Sequence, residues 1–370
     1  MTQQGNTIIC NLRQYRVKKK LSQEELAKII GIKRQAIYDI ESGRYLPNTA
    51  IALQLARLFG CRVEDLFILD EPVDAQPVHV INGDNTPSTR LSLAKVRDRL
   101  VGIPLKGARA TSFGLKAADG LLDNAGEKTQ IFLPEHLLNN SIILMGCDPA
   151  FEILANHISR IAPDFRVHCL FASSHASLNG LAEGNAHVAG THLHNTGDAE
   201  ANVAITNEKL GAMKCHIFGF SFMEEGLIVA RNNPLGIRNV ADLAQPMVRF
   251  VNREQGAALR VLLDDELKKA GIPGTAINGY QNEVTSHRDG ASKVACNVVD
   301  AALGLRAVAD SYDLGFVPII SVRCDLVIPD DMMNHPTIKI LTNALQSQVL
   351  RKEIDAIPGY DGSSMGKIIN

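Results

Sequence analysis

The apolar positions of residues 1–69 repeat with the period of an α-helix, and turn signals separate the repeats. Ser22-Gln23-Glu24-Glu25 is a capping box, in which the serine hydroxyl and the second glutamate each accept a hydrogen bond from an exposed backbone N–H group. Gly31 supplies the turn after this helix. A second helix over Lys33–Ser42 has an alanine and isoleucine stripe on one face. The pattern predicts an all-α helical domain over residues 1–69.

The pattern changes twice after this domain. Residues 70–89 lose the helical period and are rich in Pro, Gly and polar residues, which predicts a linker. Residues 90–137 begin with strand-like alternation and continue into a Gly-rich segment, which predicts a small β-containing connector. From residue 138 to residue 370, strands and helices alternate at the spacing of parallel βαβ units, in two successive runs. We expect a two-lobed α/β domain there.

Charge is distributed unevenly along the chain. The formal net charge of all 370 residues is -2, whereas residues 1–62 contain eleven Lys or Arg and four acidic residues, a local charge of +7. Such a basic module on a slightly acidic body is typical of proteins that bind nucleic acid through one domain.

The composition also excludes some classes of protein. No apolar run approaches the roughly 18 residues needed to span a bilayer, and the N-terminus lacks the apolar core of a secretion signal. The seven cysteines contain no CxxC pair, so neither a disulfide framework nor a zinc site is indicated. We therefore expect a cytoplasmic protein with no membrane partner, no bound metal and no resident cofactor.

The candidate DNA-reading side chains lie on the outer side of the second helix, near its start. They are Lys33, Arg34, Gln35, Tyr38 and Asp39. Arg or Lys donates to guanine, Gln pairs with adenine, and Asp accepts from cytosine. The alternative interpretation is that these residues form an ordinary solvated face, or that the domain binds another protein.

The same segment resembles the Xre-type family of phage-repressor-like helix-turn-helix domains. The motifs that carry the resemblance are Leu12-Arg13-Gln14-Tyr15-Arg16, Leu21-Ser22-Gln23-Glu24-Glu25-Leu26-Ala27, Ile37-Tyr38-Asp39-Ile40-Glu41-Ser42-Gly43-Arg44 and Pro47-Asn48. The resemblance implies a five-helix unit whose helix from Lys33 enters the major groove of a double-stranded operator. It places Gln23 and Arg44 near phosphates and implies a homodimer on an inverted repeat.

The segment from residue 141 to residue 329 resembles cytoplasmic relatives of type 2 periplasmic solute-binding proteins, a group often described as molybdate-binding-like. The motifs are Gly146-Cys147-Asp148-Pro149-Ala150, Ala172-Ser173-Ser174, Gly180-Leu181-Ala182-Glu183-Gly184, Ala189-Gly190-Thr191-His192-Leu193, Asn233-Pro234-Leu235-Gly236-Ile237, Phe250-Val251-Asn252-Arg253-Glu254-Gln255-Gly256 and Phe316-Val317-Pro318. The resemblance implies a two-lobed fold that holds a small molecule between its lobes.

Such a domain binds its ligand at the carboxyl ends of strands and the N-termini of the helices that follow, which are sites for anions. Arg253 and Arg260 add positive charge near one such helix start. The candidate ligand-binding residues are Cys147, Asp148, Ser173, Ser174, His175, Thr191, His192, Arg253, Gly256, Ala257, Arg260 and His287.

The sequence departs from this family at one loop. Many relatives have a hydroxyl-bearing run after the arginine, whereas this chain has Gly256-Ala257-Ala258-Leu259. Asp148 would also repel an anion if it faced the cleft. The ligand is therefore left open among an oxyanion such as molybdate or tungstate, a phosphorylated or cofactor-like metabolite, and a zwitterionic organic molecule.

Three smaller features have competing interpretations. His187, His192 and His194 include an HxH pattern, which we interpret as polar residues at a strand end rather than a metal site. Ser286 precedes a predicted helix and is interpreted as an N-cap rather than a nucleophile. Cys147 beside a helix start is interpreted as an unreactive small residue, the alternative being a redox or metal sensor.

Together these features predict a one-component transcription regulator whose C-terminal cleft binds a small effector. We expect no enzyme activity and assign no catalytic residue, because no nucleophile elbow, P-loop or metal motif places a nucleophile, a base and an oxyanion site together. The alternatives are a DNA-binding protein whose C-terminal domain is a non-sensing interaction module, a metabolite-processing enzyme, and a solute-binding protein that works with a transporter.

Overall fold

A computed structural model describes residues 7–70, 75–83, 85–110, 115–195 and 200–369. The chain divides into two compact units, Met1–Ala75 and Gln76–Asn370. Among the described residues, no helix combines the length and the apolar character that a membrane span requires.

The first unit has five α-helices in its described residues, as predicted. In chain order its elements are β1 (Thr7–Cys10), α1 (Leu12–Lys18), α2 (Gln23–Ile30), α3 (Arg34–Glu41), α4 (Thr49–Phe59), α5 (Val63–Leu66) and β2 (Phe67–Asp70). The antiparallel pair of β1 and β2 joins the two ends of the unit and was not predicted. Both strands consist largely of β-branched, aromatic and aliphatic residues, but their pairing depends on contacts about 60 residues apart along the chain, which local periodicity does not reveal.

The capping box at the start of α2 is confirmed. The Ser22 hydroxyl accepts from the Glu25 N–H at 3.1 Å, and the Glu25 carboxylate accepts from the Ser22 N–H at 2.7 Å. Gly31 then ends the helix with φ of 79°, a left-handed conformation that glycine adopts without a steric penalty. Ile37 and Ile40 of α3 are buried in the core of the unit, so the opposite face of α3 is directed to solvent.

The second unit begins with a small sheet. Its strands are β3 (Gln76–Pro77), β4 (His79–Val80), β5 (Arg90–Val96), β6 (Arg99–Pro104), β7 (Gly120–Leu122) and β8 (Lys128–Ile131), in the spatial order β3-β8-β7-β5-β6-β4. Residues 76–77 and 79–80, inside the predicted linker, therefore form strands. They pair with β8 and β6, and composition alone does not show such partners.

The rest of the second unit alternates strands and helices around a larger sheet. Its elements are α6 (Glu135–Asn139), β9 (Ser141–Met145), α7 (Phe151–Ile161), β10 (Arg166–Leu170), α8 (Ser174–Ala182), β11 (Val188–Thr191), α9 (Ala201–Leu210), β12 (Cys215–Val229), β13 (Phe250–Arg253), α10 (Ala258–Lys269), β14 (Glu283–Val284), α11 (His287–Ala295), β15 (Ala301–Leu305), α12 (Arg306–Ser311), β16 (Gly315–Pro329), α13 (Pro336–Ala344), α14 (Gln348–Asp355), β17 (Tyr360–Asp361) and β18 (Ile368–Ile369).

Two long strands connect the lobes of this unit. β12 and β16 pair antiparallel over nearly their whole length of 15 residues each. β9, β10 and β11 extend the sheet on one side, which we call the first lobe, and β13, β14 and β15 extend it on the other, the second lobe. Each lobe has its own buried apolar core. The α/β architecture with two lobes is thus confirmed.

Candidate DNA-binding surface and interlobe cavity

The N-terminal half of α3 presents polar side chains to solvent. We call Lys33, Arg34, Gln35, Tyr38 and Asp39 the recognition face; all are exposed except Asp39, which is half-buried. The Gln35 amide donates to the Asp39 carboxylate at 3.1 Å, one helical turn away. The structure thus places the five predicted base-reading residues on one accessible surface.

The two predicted phosphate-contacting residues have intramolecular partners. The Gln23 amide donates to Glu41 at 2.8 Å, and Glu41 also accepts from Arg16 at 2.6 Å. The Arg44 guanidinium lies 5.6 Å from the centre of the Tyr38 ring, a cation–π distance. Gln23 is therefore held in place by the buried Arg16–Glu41 ion pair, and Arg44 borders the recognition face.

The second unit contains a cavity between its lobes. It measures about 10 Å³, room for about one water molecule, so the lobes are closed. Cys147, Ser173, Ser174, His175, His192 and Leu193 line it from the first lobe, and Arg253, Gly256, Ala257, Ala258, Leu259 and His287 line it from the second. Nine of the twelve predicted ligand-binding residues are among these lining residues.

Close backbone packing positions the first-lobe side of the cavity. Gly146 directly follows β9, and Gly190 lies near the end of β11. A Cβ atom on either glycine would lie 2.4 Å from the ring of Phe151. Real side chains do not approach so closely, so glycine at these positions allows Phe151 to pack under both strand ends. The neighbouring residues Cys147 and His192 are thereby brought to the same end of the lobe.

Three helix N-termini meet at the cavity. Ser173 caps α8 and accepts from the Ala176 N–H at 3.4 Å, and Ser286 caps α11 and accepts from the Asp289 N–H at 3.0 Å, which confirms the predicted N-cap. Ala257 occupies the cap position of α10 and makes no side-chain cap hydrogen bond. The start of α10 therefore offers backbone N–H groups and the positive end of a helix dipole to the cavity.

Arg253 supplies positive charge to the second-lobe wall. It is almost fully buried, and its guanidinium donates twice to the Glu254 carboxylate, at 3.0 Å each. Its Nη1 lies 3.2 Å from Nδ1 of His287. Burial, together with the charge of Arg253, lowers the pKa of His287 well below its ordinary value. His287 is therefore neutral and accepts a hydrogen bond from Arg253.

Cys147 and His192 form the most unusual contact in the cavity. Sγ of Cys147 lies 3.1 Å from Nδ1 of His192. Nε2 of His192 lies 3.3 Å from Oε1 of Glu225, and Oε2 of Glu225 lies 2.6 Å from Nε2 of His194. Among the described residues, Oε1 has no hydrogen-bond partner, so its contact with His192 is an ion pair that lacks hydrogen-bond alignment.

The charges of this cluster are coupled. Burial opposes the charged form of His192, but the Cys147 sulfur and the Glu225 carboxylate outweigh it and raise the pKa of His192 well above its ordinary value. Burial likewise opposes the charged form of Glu225, yet the hydrogen bond with His194 and the charges of His192 and His194 lower the pKa of Glu225 to about 2. The buried carboxylate therefore favours the protonated form of the imidazole beside it.

Three predicted ligand-binding residues lie outside the lining of this cavity. Asp148 is buried and accepts from Tyr360 at 2.7 Å and from Ser221 at 3.2 Å, which removes it as a source of repulsion in the cavity. Arg260 stacks on Tyr280 at 4.2 Å and pairs with Asp264 and Glu283. Thr191 is fully buried. Tertiary contacts thus orient the side chains of Asp148 and Arg260.

The sequence analysis did not connect Glu225 or His194 with Cys147. The signal that could have revealed this cluster is a glutamate inside the apolar run of β12, because a carboxylate is not buried without partners. His187 of the HxH region lies elsewhere: it accepts from the Ile143 N–H at 3.0 Å and its Nε2 bonds the Lys95 carbonyl at 2.9 Å. No group of three or more His, Cys, Asp or Glu in the described residues is arranged to hold a metal ion.

An exposed recognition helix in one unit and a two-lobed α/β fold with an interlobe cavity in the other define a class, the DNA-binding transcription regulators with a solute-binding-type domain. Comparison with known families agrees. A model described as "PBP superfamily domain" matches residues 155–346, and one described as "Helix-turn-helix" matches residues 12–66. The chain belongs to the PBP superfamily and carries an Xre-type helix-turn-helix domain at its N-terminus.

Individual relatives cover part of the chain. An uncharacterised protein of Bacillus subtilis, YvgK, is 26% identical over 229 residues, which cover 62% of this chain and 73% of that protein. An uncharacterised helix-turn-helix transcriptional regulator of Archaeoglobus fulgidus is 45% identical over 60 residues, which cover 16% of this chain and 86% of that protein. Among solved structures, the ferric binding protein from Campylobacter jejuni is 13% identical, with a TM-score of 0.43 over 60% of this chain and 86% of that chain.

Proposed function

We propose that this protein is a one-component transcription regulator of the cytoplasm. As a homodimer it binds a double-stranded operator through α3, and its interlobe cavity binds a small anionic effector that changes the affinity for the operator. Its role is recognition rather than turnover of a metabolite.

The recognition face supports sequence-specific DNA binding. Arg34 and Gln35 are exposed near the N-terminus of α3, the end of a recognition helix that contacts base edges in helix-turn-helix complexes. The local charge of residues 1–62 adds attraction to phosphates. Lys33 and Asp39 provide one further donor and one acceptor for base edges.

The interlobe cavity carries the proposal of an effector. Its wall combines the guanidinium of Arg253, which is paired with Glu254, with the uncapped start of α10 and the hydroxyl of Ser173. Charge, backbone N–H groups and hydroxyls are the donors that bind a small anion. Since the closed cavity holds about one water molecule, effector entry requires the lobes to open.

An effector alters DNA binding only if its affinity differs between the DNA-competent and the incompetent arrangement of the protein. A hundredfold change in operator affinity requires about 2.7 kcal/mol of coupling. Opening and closing of the two lobes is the conformational difference that this fold makes available.

Fluorescence anisotropy tests the effector. The full-length protein is titrated onto labelled fragments from the region flanking its gene, with and without molybdate, tungstate, phosphate and fractions of a cell metabolite extract. The Arg253→Gln variant should lose any response to the active addition. Arg249→Gln is the matched control, because Arg249 is exposed and pairs with Asp300 outside the cavity. Specific binding that no addition changes would instead indicate a non-sensing interaction module.

The same titration tests the recognition face. Gln35→Ala should weaken specific binding by about 1–3 kcal/mol and relax the preference at one base pair. Lys28→Ala is the control on the neighbouring helix, where Lys28 is exposed and pairs with Glu24. Equal specificity in the Gln35→Ala variant and the unmodified protein would show that α3 does not read the operator in this way.

A further inference from the structure

We propose that Cys147 is a nucleophile that adds reversibly to the carbonyl carbon of a small anionic ligand in the cavity, with His192 as its general base and Glu225 as the positioning residue for His192. The inference rests on the proposed effector site and names the chemical class of its ligand: an aldehyde or ketone that carries an anionic group.

The geometry is that of an activated nucleophile. The thiol of Cys147 and the imidazole of His192 are within hydrogen-bond distance, at 3.1 Å, and both residues line the cavity. The second ring nitrogen of His192 faces the fully buried Glu225 at 3.3 Å. A nucleophile, a base and a carboxylate that orients the base are the three parts of a nucleophilic site.

Other cysteines of the chain differ from Cys147 in their surroundings. Cys324 is buried and Cys169 is half-buried in the first lobe, and burial raises the pKa of each thiol well above its ordinary value. Among the described residues, Cys147 is the cysteine with an imidazole within hydrogen-bond distance. A thiol with a packing role alone needs neither a base nor access to a cavity, and Cys147 has both.

A structural explanation of Glu225 is also incomplete. His194 accounts for one of its oxygens at 2.6 Å, whereas Oε1 lacks an aligned hydrogen bond among the described residues. Burying a carboxylate without full satisfaction is costly. The contact is accounted for if Oε1 stabilises the positive charge that His192 acquires when it takes the thiol proton.

The ligand class follows from the groups that face Cys147. Arg253 and the start of α10 lie across the cavity and suit an anionic group. An electrophilic carbon next to that group would lie against Sγ. In the addition, the Sγ–C bond forms, the π pair of the carbonyl moves to its oxygen, and the proton passes from Sγ through His192 to that oxygen. Nothing leaves, so the step needs no other reactant, and its reversal releases the ligand.

The first experiment measures the reactivity of each thiol in the full-length protein. Iodoacetamide alkylation, in which an S–C bond replaces the C–I bond, is followed peptide by peptide with mass spectrometry. Cys147 should react faster than Cys324, and its rate should fall about a hundredfold in His192→Gln. Glu225→Gln should slow it less, while Glu224→Gln should leave it unchanged. An equal rate at Cys147 in the unmodified protein and His192→Gln overturns the assignment of the base.

The second experiment uses the unmodified protein and therefore does not depend on the folding of a variant. Glyoxylate, an anion with an aldehyde carbon, is compared with glycolate, which has the same charge and nearly the same size but a hydroxyl in place of the carbonyl. Glyoxylate should protect Cys147 from iodoacetamide about tenfold more than glycolate does, a difference of about 1.4 kcal/mol, and dilution should restore the reactivity. Equal protection by both anions, or protection by neither, overturns the carbonyl adduct.

These outcomes are separate from the test of the proposed function. If glycolate protects as well as glyoxylate, the cavity binds anions without covalent chemistry, and the effector proposal stands while this inference fails. If glyoxylate forms the adduct but no ligand changes operator binding, the adduct chemistry stands and the proposed regulation fails.

Discussion

The Glu225→Gln substitution keeps the shape of a fully buried side chain and removes its charge. A pKa of about 2, against the ordinary 4.5, means that the folded protein stabilises the Glu225 carboxylate by about 3 kcal/mol relative to its protonated form. Removing the charge also takes from His192 the carboxylate that favours its protonated form. We therefore expect Glu225→Gln to lower the free energy of unfolding by about 3 kcal/mol near neutral pH.

The sign of the pH dependence follows from the two pKa shifts. The stabilisation by Glu225 is present above its ordinary pKa of 4.5 and is lost as pH falls toward about 2. The pKa of His192 is raised, so its contribution is present below the ordinary 6.5 and is lost as pH rises through the raised value. The difference between the two proteins should be largest between pH 4.5 and 6.5 and should shrink at pH 3.

Urea unfolding of the full-length protein, followed by far-UV circular dichroism at several pH values, measures this difference, and amide hydrogen exchange locates it in the α/β unit. Glu224→Gln is the adjacent control. Glu224 is partly exposed and pairs with Arg306, so its loss should cost less than about 1 kcal/mol. Equal losses in the two variants at pH 6, or a Glu225→Gln loss that is undiminished at pH 3, would refute the coupled cluster.

Two further predictions concern local structure. Ser22→Ala removes the cap of α2 and should destabilise the helix-turn-helix unit by about 1 kcal/mol, measured by thermal unfolding; an unchanged midpoint would contradict the role of the capping box. Gly190→Ala places a Cβ atom 2.4 Å from the Phe151 ring and should cost about 1–3 kcal/mol. Phe151→Leu in the same chain should recover part of that loss, and a purely additive double mutant would contradict the packing argument.

The sequence alone determined the helix-turn-helix unit almost completely. Its signals are local: Ser22 and Glu25 are three residues apart, and Gly31 acts through its own backbone conformation. Because these signals act within one helical turn, they can be recognised in the sequence without knowledge of the tertiary packing that stabilises the helices. The same holds for the recognition face, because the burial of Ile37 and Ile40 on one side of α3 leaves the other side to solvent.

The sequence also located most of the cavity. Cys147, Ser174 and His192 each follow a strand of the first lobe, and the carboxyl ends of parallel strands meet at one edge of a sheet. Knowing that these segments are strands is therefore enough to bring their last residues together, without knowledge of any side-chain contact.

Tertiary structure decided the direction of each side chain. Asp148 lies just after β9 and Arg260 lies in the first turn of α10, but contacts with Tyr360 and Tyr280 hold these side chains away from the cavity. The pairing of β1 with β2 and of β12 with β16 likewise depends on partners far along the chain.

The contact of Glu225 with His192 shows the same limit. Glu225 lies beside His192 where β12 crosses from one lobe to the other, next to an irregularity in its pairing to β16 between Glu225 and Gly226. A shift of one residue in a strand turns each side chain to the opposite face. That register is set by long-range pairing, so only the folded chain determines that the thiol, the imidazole and the carboxylate meet.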